Sequence, residues 1–309
     1  MMTLEKLNGH ITDGSINEII RVAEARQVKH LSRIADEITS KGAVRLVLVT
    51  GASAAGKTTT AKRLCTQLLV NGRPSAIHLS TDDYFVGDEK NPRDEYGRLD
   101  YEHIECVDIA GLVADMKKLL SGETVSRRRF DFVRHVPVYT NERMTLPEGG
   151  MIVLEGIHAL NPRLTGGIDE ALKYRVFIEP RPEIDVFGGF VPTSADARFL
   201  RRLVRDNQFR KREPADTVRM WPSVRAGEAK WIDPFLRNAD ALFNSYLVYE
   251  LAALKPYAGG LLERARRDCG EDRLVVNIIR LLEMVHPISP EAIPGDSIIR
   301  ETIGGSQLE

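Results

Sequence analysis

The chain has 309 residues, 43% of them hydrophobic and 28% charged, which is enough apolar content for one large α/β domain or two smaller ones. Its formal net charge is -1, so nothing global in it asks for a nucleic acid or an anionic membrane, and its basic clusters need local explanations. Three cysteines (Cys65, Cys106, Cys269), odd in number and without a C-x-x-C spacing, argue against a disulfide framework or a zinc site. The absence of a long apolar run or a signal-like N-terminus makes a cytoplasmic location the expectation, with no membrane partner.

In chain order, residues 1–14 read as irregular. Ser15 and Glu18 have the spacing of a capping box ahead of Ile16, Ile19, Ile20 and Ala23, and a second stripe (Val28, Leu31, Ile34, Ala35, Ile38) runs to Gly42, so helices are expected here as packing elements. From residue 44 onward strands alternate with helical stretches, the pattern of a parallel sheet covered on both faces. The expected strands are 45–50, 76–80, 151–155, 174–178 and 240–244. Two stretches interrupt the alternation: a polar, turn-rich segment at 82–106, and an alternating segment at 124–146 that predicts a small β-hairpin insertion. The last forty or so residues, with Pro287, Pro290, Pro294 and Gly304-Gly305, read as a helix followed by a loose tail.

The most informative motif is Gly51-Ala52-Ser53-Ala54-Ala55-Gly56-Lys57-Thr58, which fits the P-loop pattern G-x-x-x-x-G-K-[ST]. A short β-branched strand precedes it, and a helix over Thr59–Val70 follows, with Ala61, Leu64, Cys65, Leu68 and Leu69 on one stripe. Strand, glycine-rich loop and helix N-terminus together make an anion site, because backbone N–H groups and the helix dipole converge on one point. Residues 51–59 are therefore the candidate triphosphate cradle, with Lys57 on the β- and γ-phosphates and the Thr58 hydroxyl on Mg²⁺. The chain is expected to bind a nucleoside triphosphate.

In open parallel sheets, ligands lie beyond the carboxyl ends of the strands, and two acids fall there. Asp82 follows the second strand and is the candidate general base for an acceptor hydroxyl; Asp83 is expected to point elsewhere. Glu155 ends the third strand and is the candidate for holding Mg²⁺. The plain alternatives are a helix cap or a solvated loop acid. Between Asp196 and Glu213 lie Arg198, Arg201, Arg202, Arg205, Arg210, Lys211 and Arg212, with Ser194 as an expected N-cap. The first four arginines share one helical face, opposite Phe199, Leu200, Leu203 and Val204. Such a face can be solvated or bind nucleic acid. A neutral chain without aromatic interleaving points instead to a lid closing over a transferring phosphoryl group, and to no nucleic-acid partner.

Together these residues resemble the uridine kinase and phosphoribulokinase family of P-loop kinases. The resemblance runs from about residue 16 to about 265. It is carried by Ser80-Thr81-Asp82-Asp83-Tyr84-Phe85, by Asn91-Pro92-Arg93-Asp94 through Asp100-Tyr101-Glu102, and by Glu155-Gly156-Ile157-His158-Ala159-Leu160-Asn161-Pro162. Arg201-Arg202-Leu203-Val204-Arg205-Asp206, Trp221-Pro222-Ser223-Val224-Arg225-Ala226-Gly227-Glu228 and Phe243-Asn244-Ser245 extend it. Within the family the strings are most similar to bacterial uridine-kinase-like proteins that carry a tRNA-synthetase-like N-terminal region, here absent or reduced to the short helices before residue 42.

The resemblance implies a three-layer α/β sandwich of the P-loop NTPase type, with a mostly parallel five-stranded sheet, a small β-hairpin insertion and an arginine-rich helical lid. It divides the chain into an N-terminal helical extension (1–42), a kinase domain (43–265, insertion about 124–146, lid about 194–214) and a C-terminal helix and tail (266–309). It also implies transfer of the γ-phosphate of ATP or GTP to the 5′-hydroxyl of a pyrimidine ribonucleoside, and assembly as a homo-oligomer. Asp82 matches the catalytic base; Lys57, Thr58 and Glu155 match the phosphate and Mg²⁺ positions. Arg202 matches a ribose contact, and Arg205, Arg210 and Arg212 match phosphate-facing lid arginines. The acceptor pocket, with Phe85 on its wall, departs from the pattern. Glu102 stands where an aspartate holds ribose hydroxyls, and Phe130 stands where a tyrosine reads the base together with the histidine that His135 matches. The missing hydroxyl predicts looser discrimination among bases. Alternatives are a kinase for another small alcohol (a sugar phosphate, a vitamin precursor or another nucleoside) or an NTP-binding regulator; no N-K-x-D motif supports a GTPase.

Overall fold

Five short parallel strands position everything else. A computed structural model describes residues 2–93, 97, 99–186 and 192–308; Asp94 and Tyr96, within the turn-rich segment, lie outside the described residues. The strands β2 (Leu46–Thr50), β3 (Ala76–Ser80), β6 (Met151–Glu155), β7 (Lys173–Glu179) and β9 (Ala241–Asn244) form one sheet in the order β3-β6-β2-β7-β9, and every neighbouring pair is parallel. The P-loop strand is thus central. Each expected strand lies within one residue of its place at either end, because buried parallel strands read as continuous apolar runs.

Side-chain alternation divides the sheet into two faces. Val47, Val49, Val153, Val176 and Ile178 pack against α2 (Ile16–Ser40) and α3 (Lys57–Val70) through Leu31, Ile34, Leu64 and Leu68. Leu46, Leu48, Ile152 and Leu154 pack on the other face against Leu112, Met116 and Leu119 of α4 (Ile109–Leu120). Beside α4 lies the antiparallel hairpin β4 (Thr124–Asp131) and β5 (Val136–Thr145), with a register shift between Ser126 and Arg128.

A third core joins the chain's two ends. It contains α1 (Leu4–Thr12), α5 (Ser194–Arg210), α6 (Pro214–Trp231), α7 (Glu250–Cys269) and α8 (Arg273–Glu283), together with Ile288, Ile293, Ile299 and Ile303. The last of these lies on a single-turn helix, α9 (Arg300–Ile303). A two-residue strand, β1 (Met2–Thr3), pairs in parallel with β8 (Ile184–Asp185). Among the described residues, no helix is long and apolar enough to cross a membrane.

Four expectations need correction. Residues 2–12 are not irregular: Thr3 caps α1 by accepting from the Lys6 N–H, and Leu4 and Leu7 are buried in the third core. The two stripes before Gly42 belong to one continuous 25-residue helix; Ser15 precedes it without capping, because its hydroxyl donates to Asp13 Oδ1 at 2.6 Å instead. The N-cap of α5 is Thr193 rather than Ser194, in a reciprocal capping box with Asp196. Nor is the tail loose. The Arg300 guanidinium donates to the carbonyls of Ile293 (2.6 Å), Pro290 (2.9 Å), Pro294 and Gly304 (both 3.3 Å), which folds the proline-rich segment around one side chain.

Candidate active site

At the carboxyl end of β2 the chain turns through residues 51–56 and enters α3, whose N-cap is Gly56 at φ +86°. The left-handed backbone there favours glycine, and a Cβ at this position would lie 2.8 Å from Ile298 Cγ2. Ser245, just beyond β9, donates from its hydroxyl to the Ala55 carbonyl at 2.6 Å, so the last strand of the sheet props the loop from behind. Lys57 Nζ lies 3.2 Å from the Ala52 carbonyl, folded over the loop it serves.

Thr58 and Glu155 meet at the strand ends. Glu155 Oε1 accepts from Thr58 Oγ1 at 3.2 Å and from Ser80 Oγ at 2.7 Å. Burial, with the neighbouring Asp82 carboxylate, pushes the Glu155 carboxyl up to about 7, against the pull of Lys57. Asp82 lies on a turn of 3₁₀ helix (Thr81–Tyr84) capped by Ser80, whose hydroxyl accepts from the Asp82 N–H at 3.3 Å. Asp83 turns the other way, its carboxylate 3.8 Å from Arg129 of the hairpin, and burial raises its pKa. It is this turn, rather than extended chain, that separates the two acids.

The arginines of α5, with Arg212 just beyond its end, divide into two sets. Arg198 and Arg201 are 3% and 2% exposed and pair with acids from distant helices. Arg198 forms a fork with Glu228 and Arg201 one with Glu250, the latter at 2.6 and 2.7 Å. Both also reach P-loop carbonyls, of Ser53 at 3.3 Å and Ala54 at 3.5 Å, so they buttress the loop from beneath. The second set surrounds the buried Asp206: Arg205 at 3.0 Å, Arg212 at 3.1 Å, and Arg202 and Arg210 at 3.4 Å. Burial alone would raise the Asp206 carboxyl, but these four guanidiniums outweigh it and hold the group below its usual range. One ionised acid thus gathers four cations and leaves a net positive wall. Over residues 197–204 α5 is accordingly buried on both its faces, its apolar side in the third core.

That wall opens on a cavity of about 500 Å³. Of the residues singled out in the sequence, Ser53, Ala54, Lys57, Thr58, Asp82, Phe85, Glu102, Phe130, His135, Glu155, Arg202, Arg205, Arg210 and Arg212 all line it. Gly51, Ala52, Ala55, Gly56 and Thr59 do not; Gly56 faces a smaller adjoining recess with Ile298 and Glu301. The cavity's apolar end is aromatic, with Phe130 packed edge-on against Phe85 at 5.4 Å and Phe132 at 5.1 Å. Glu102 lies in the wall with one oxygen 3.9 Å from Arg202 Nη1, while the other, Oε2, is buried and finds no hydrogen-bond partner among the described residues. Gly227 permits this placement, since a Cβ there would lie 2.6 Å from Glu102 Cβ.

Sequence reasoning missed three contributors. Asp206 stands in the sequence only as part of a string, since its grip on four arginines is a tertiary fact. Tyr101, adjacent to Glu102, directs its hydroxyl to His135 Nδ1 (2.9 Å) and to Asp88 Oδ1 (2.6 Å) on the wall beside Phe130. Glu301 reaches the P-loop helix from the tail; no local motif announces it.

A P-loop on the central parallel strand, an acid at the end of a neighbouring strand and a contiguous cavity for a second substrate define a P-loop kinase. The chain belongs to the Phosphoribulokinase / Uridine kinase family, whose family model matches residues 46–252, and it is an ATP-dependent phosphotransferase with an alcohol acceptor. A uridine kinase of Deinococcus deserti is 30% identical to it over 195 residues, covering 63% of this chain and 84% of that protein. One from Halobacterium salinarum is 29% identical over 195 residues, covering 63% and 77%. A solved structure described as a possible uridine kinase from Bacillus stearothermophilus is similar to 72% of this chain over 100% of its own, at 21% identity and a TM-score of 0.45.

Proposed function

We propose that the chain transfers the γ-phosphoryl group of ATP, or of GTP, to the 5′-hydroxyl of uridine or cytidine. The observation that carries this reading is the buried, unpartnered Glu102 oxygen beside Arg202, on the wall of the cavity that also holds Asp82 and the aromatic cluster. An orphan carboxylate oxygen there asks for hydroxyl donors, and vicinal ribose hydroxyls supply two. Phe85 and Phe130 offer faces to a flat base, and His135 offers a polar edge.

In this reading Asp82 accepts the proton of the 5′-hydroxyl as its oxygen attacks the γ-phosphorus in line, and the bond to the β–γ bridging oxygen breaks to release ADP. Lys57 and Arg205 donate to the phosphoryl oxygens as charge spreads over them. Arg210 and Arg212 hold the donor phosphates from the Asp206 cluster. Thr58 and Glu155 fit Mg²⁺: both present hard oxygen atoms, 3.2 Å apart. When bound, Mg²⁺ would neutralise charge on the β- and γ-phosphates.

Phe130 favours a second reading, another small alcohol or another nucleoside, because it brings no hydroxyl to the base. Tyr101 answers it: its hydroxyl lies on the same wall and already bonds His135. An ATP-consumption assay with Mg²⁺ across ribonucleosides, deoxynucleosides, sugar phosphates and small alcohols tests the proposal. A strong rise with uridine or cytidine supports it; a response confined to a non-nucleoside contradicts it.

A further inference from the structure

The first turn of α3 is an anion-binding position, because its backbone N–H groups have no partner within the helix and lie at the positive end of the dipole. In a P-loop these groups cradle the α- and β-phosphates of the nucleotide. Here one of them is taken. Glu301 Oε2 accepts from the Thr59 N–H at 3.3 Å and from the Thr59 hydroxyl at 2.9 Å, so a carboxylate from the tail makes the bonds that a phosphate oxygen would make.

The rest of the segment is fitted to hold it there. Ile298 is 1% exposed and packs so closely on Gly56 that even a methyl group would not fit between them. Ile299 and Ile303, flanking the glutamate, are buried in the helical core. Lys62, further along α3, donates to the Leu308 carbonyl at 2.7 Å, and the Arg300 guanidinium ties the segment to its own carbonyls. The contact thus unites the P-loop helix with a segment beyond the residues 46–252 that carry the family match.

We propose that the C-terminal segment, residues 288–308, is a built-in competitor for the donor nucleotide, with Glu301 occupying a phosphate position that ATP must take from it. Two anions cannot share the Thr59 N–H and hydroxyl, and Ile298 packs against Gly56 at the end of the same loop, 2.8 Å from where a Cβ would stand. The tail-bound state is closed to donor, and the tail-released state is open. The measured affinity for ATP is the intrinsic affinity reduced by the open fraction. Glu301 lines the same cavity as Lys57 and Thr58, so the competition bears on the donor's phosphates at that side of it.

The test is nucleotide binding to the full chain, measured by titration with ATP and Mg²⁺ in the absence of acceptor, for the wild type and Glu301→Ala. Loss of two hydrogen bonds to a carboxylate should tighten ATP binding by about tenfold or more. An unchanged or weaker Kd in a variant that retains its fold by circular dichroism overturns the proposal. Hydrogen exchange on the unmutated protein supplies a measurement independent of the variant's folding. A non-hydrolysable ATP analogue should raise exchange at residues 296–304; protection of those amides on binding would make the tail part of a closed donor site and would equally overturn the competition.

Discussion

Glu102 and Arg202 face each other at 3.9 Å on the wall of the cavity, and the second Glu102 oxygen is buried without a partner. Burial raises the Glu102 carboxyl even though Arg202 pulls it down. A buried carboxylate with a free lone pair is costly unless a ligand satisfies it, and the pair is therefore read as the seat of the acceptor's hydroxyls. Glu102→Gln retains the shape but exchanges an acceptor oxygen for an amide. The KM for the nucleoside should rise about tenfold or more while the KM for ATP stays within about twofold. Equal changes in both would remove Glu102 from the acceptor site.

Asp82 lines the cavity with Lys57 and Thr58, whereas Asp83 is turned toward Arg129. Asp82→Asn should lower kcat by roughly two to four decades with ATP binding near normal. Asp83→Asn should leave kcat within about threefold, because that carboxylate faces the hairpin. Near-native turnover by Asp82→Asn would leave the proposed mechanism without its base.

Tyr101 brings to the aromatic end of the cavity the hydroxyl that Phe130 lacks. Removing it in Tyr101→Phe should lower kcat/KM for uridine about tenfold and narrow the preference for uridine over inosine, because a lost polar contact to a base edge costs discrimination. If the selectivity ratio does not move, the Tyr101 hydroxyl only positions His135 and does not read the base.

Much of this site is legible in the sequence. The P-loop and the two strand-end acids are local patterns, and the five strands announce themselves as apolar runs between turn residues. What was hidden depends on contacts between distant segments. The periodicity of α5 placed Arg198, Arg201, Arg202 and Arg205 on one face, but not the partners that separate them. Glu228 and Glu250 lie 30 and 49 residues away from the arginines they pair with, and they turn Arg198 and Arg201 into buried buttresses. The tail misled for a related reason. Its prolines and glycines have the composition of a loop, yet Ile299 and Ile303 bury themselves in a core built largely from earlier helices. The helix over residues 4–12 was overlooked because Gly9 and several polar residues dilute its stripe, while its Thr3 cap is a single-residue signal.

His158, three residues after Glu155, is 1% exposed, and burial pulls its pKa down to about 4 from an ordinary 6.5. Below pH 6.5 the unfolded chain takes up a proton that the folded chain refuses, so this group's contribution to stability is lost as pH falls from 6.5 toward 4. His158→Gln removes the titration. Between pH 6.5 and 4.5 the variant should lose roughly 2 kcal/mol less stability than the wild type, whatever its stability at neutral pH. Denaturant titrations across that range measure the difference; parallel acid limbs would show that His158 is protonated without penalty.

Identification of the product decides whether the chain phosphorylates the 5′-hydroxyl of a pyrimidine ribonucleoside. The protein is incubated with ATP, Mg²⁺ and uridine or cytidine, and the product is examined by mass spectrometry and ³¹P NMR. The expected result is stoichiometric ADP and a nucleoside monophosphate carrying its phosphate on the 5′ carbon, with no product from 5′-deoxyuridine. ADP formed at the same rate with or without nucleoside, or phosphate found on another hydroxyl or another class of acceptor, would contradict it.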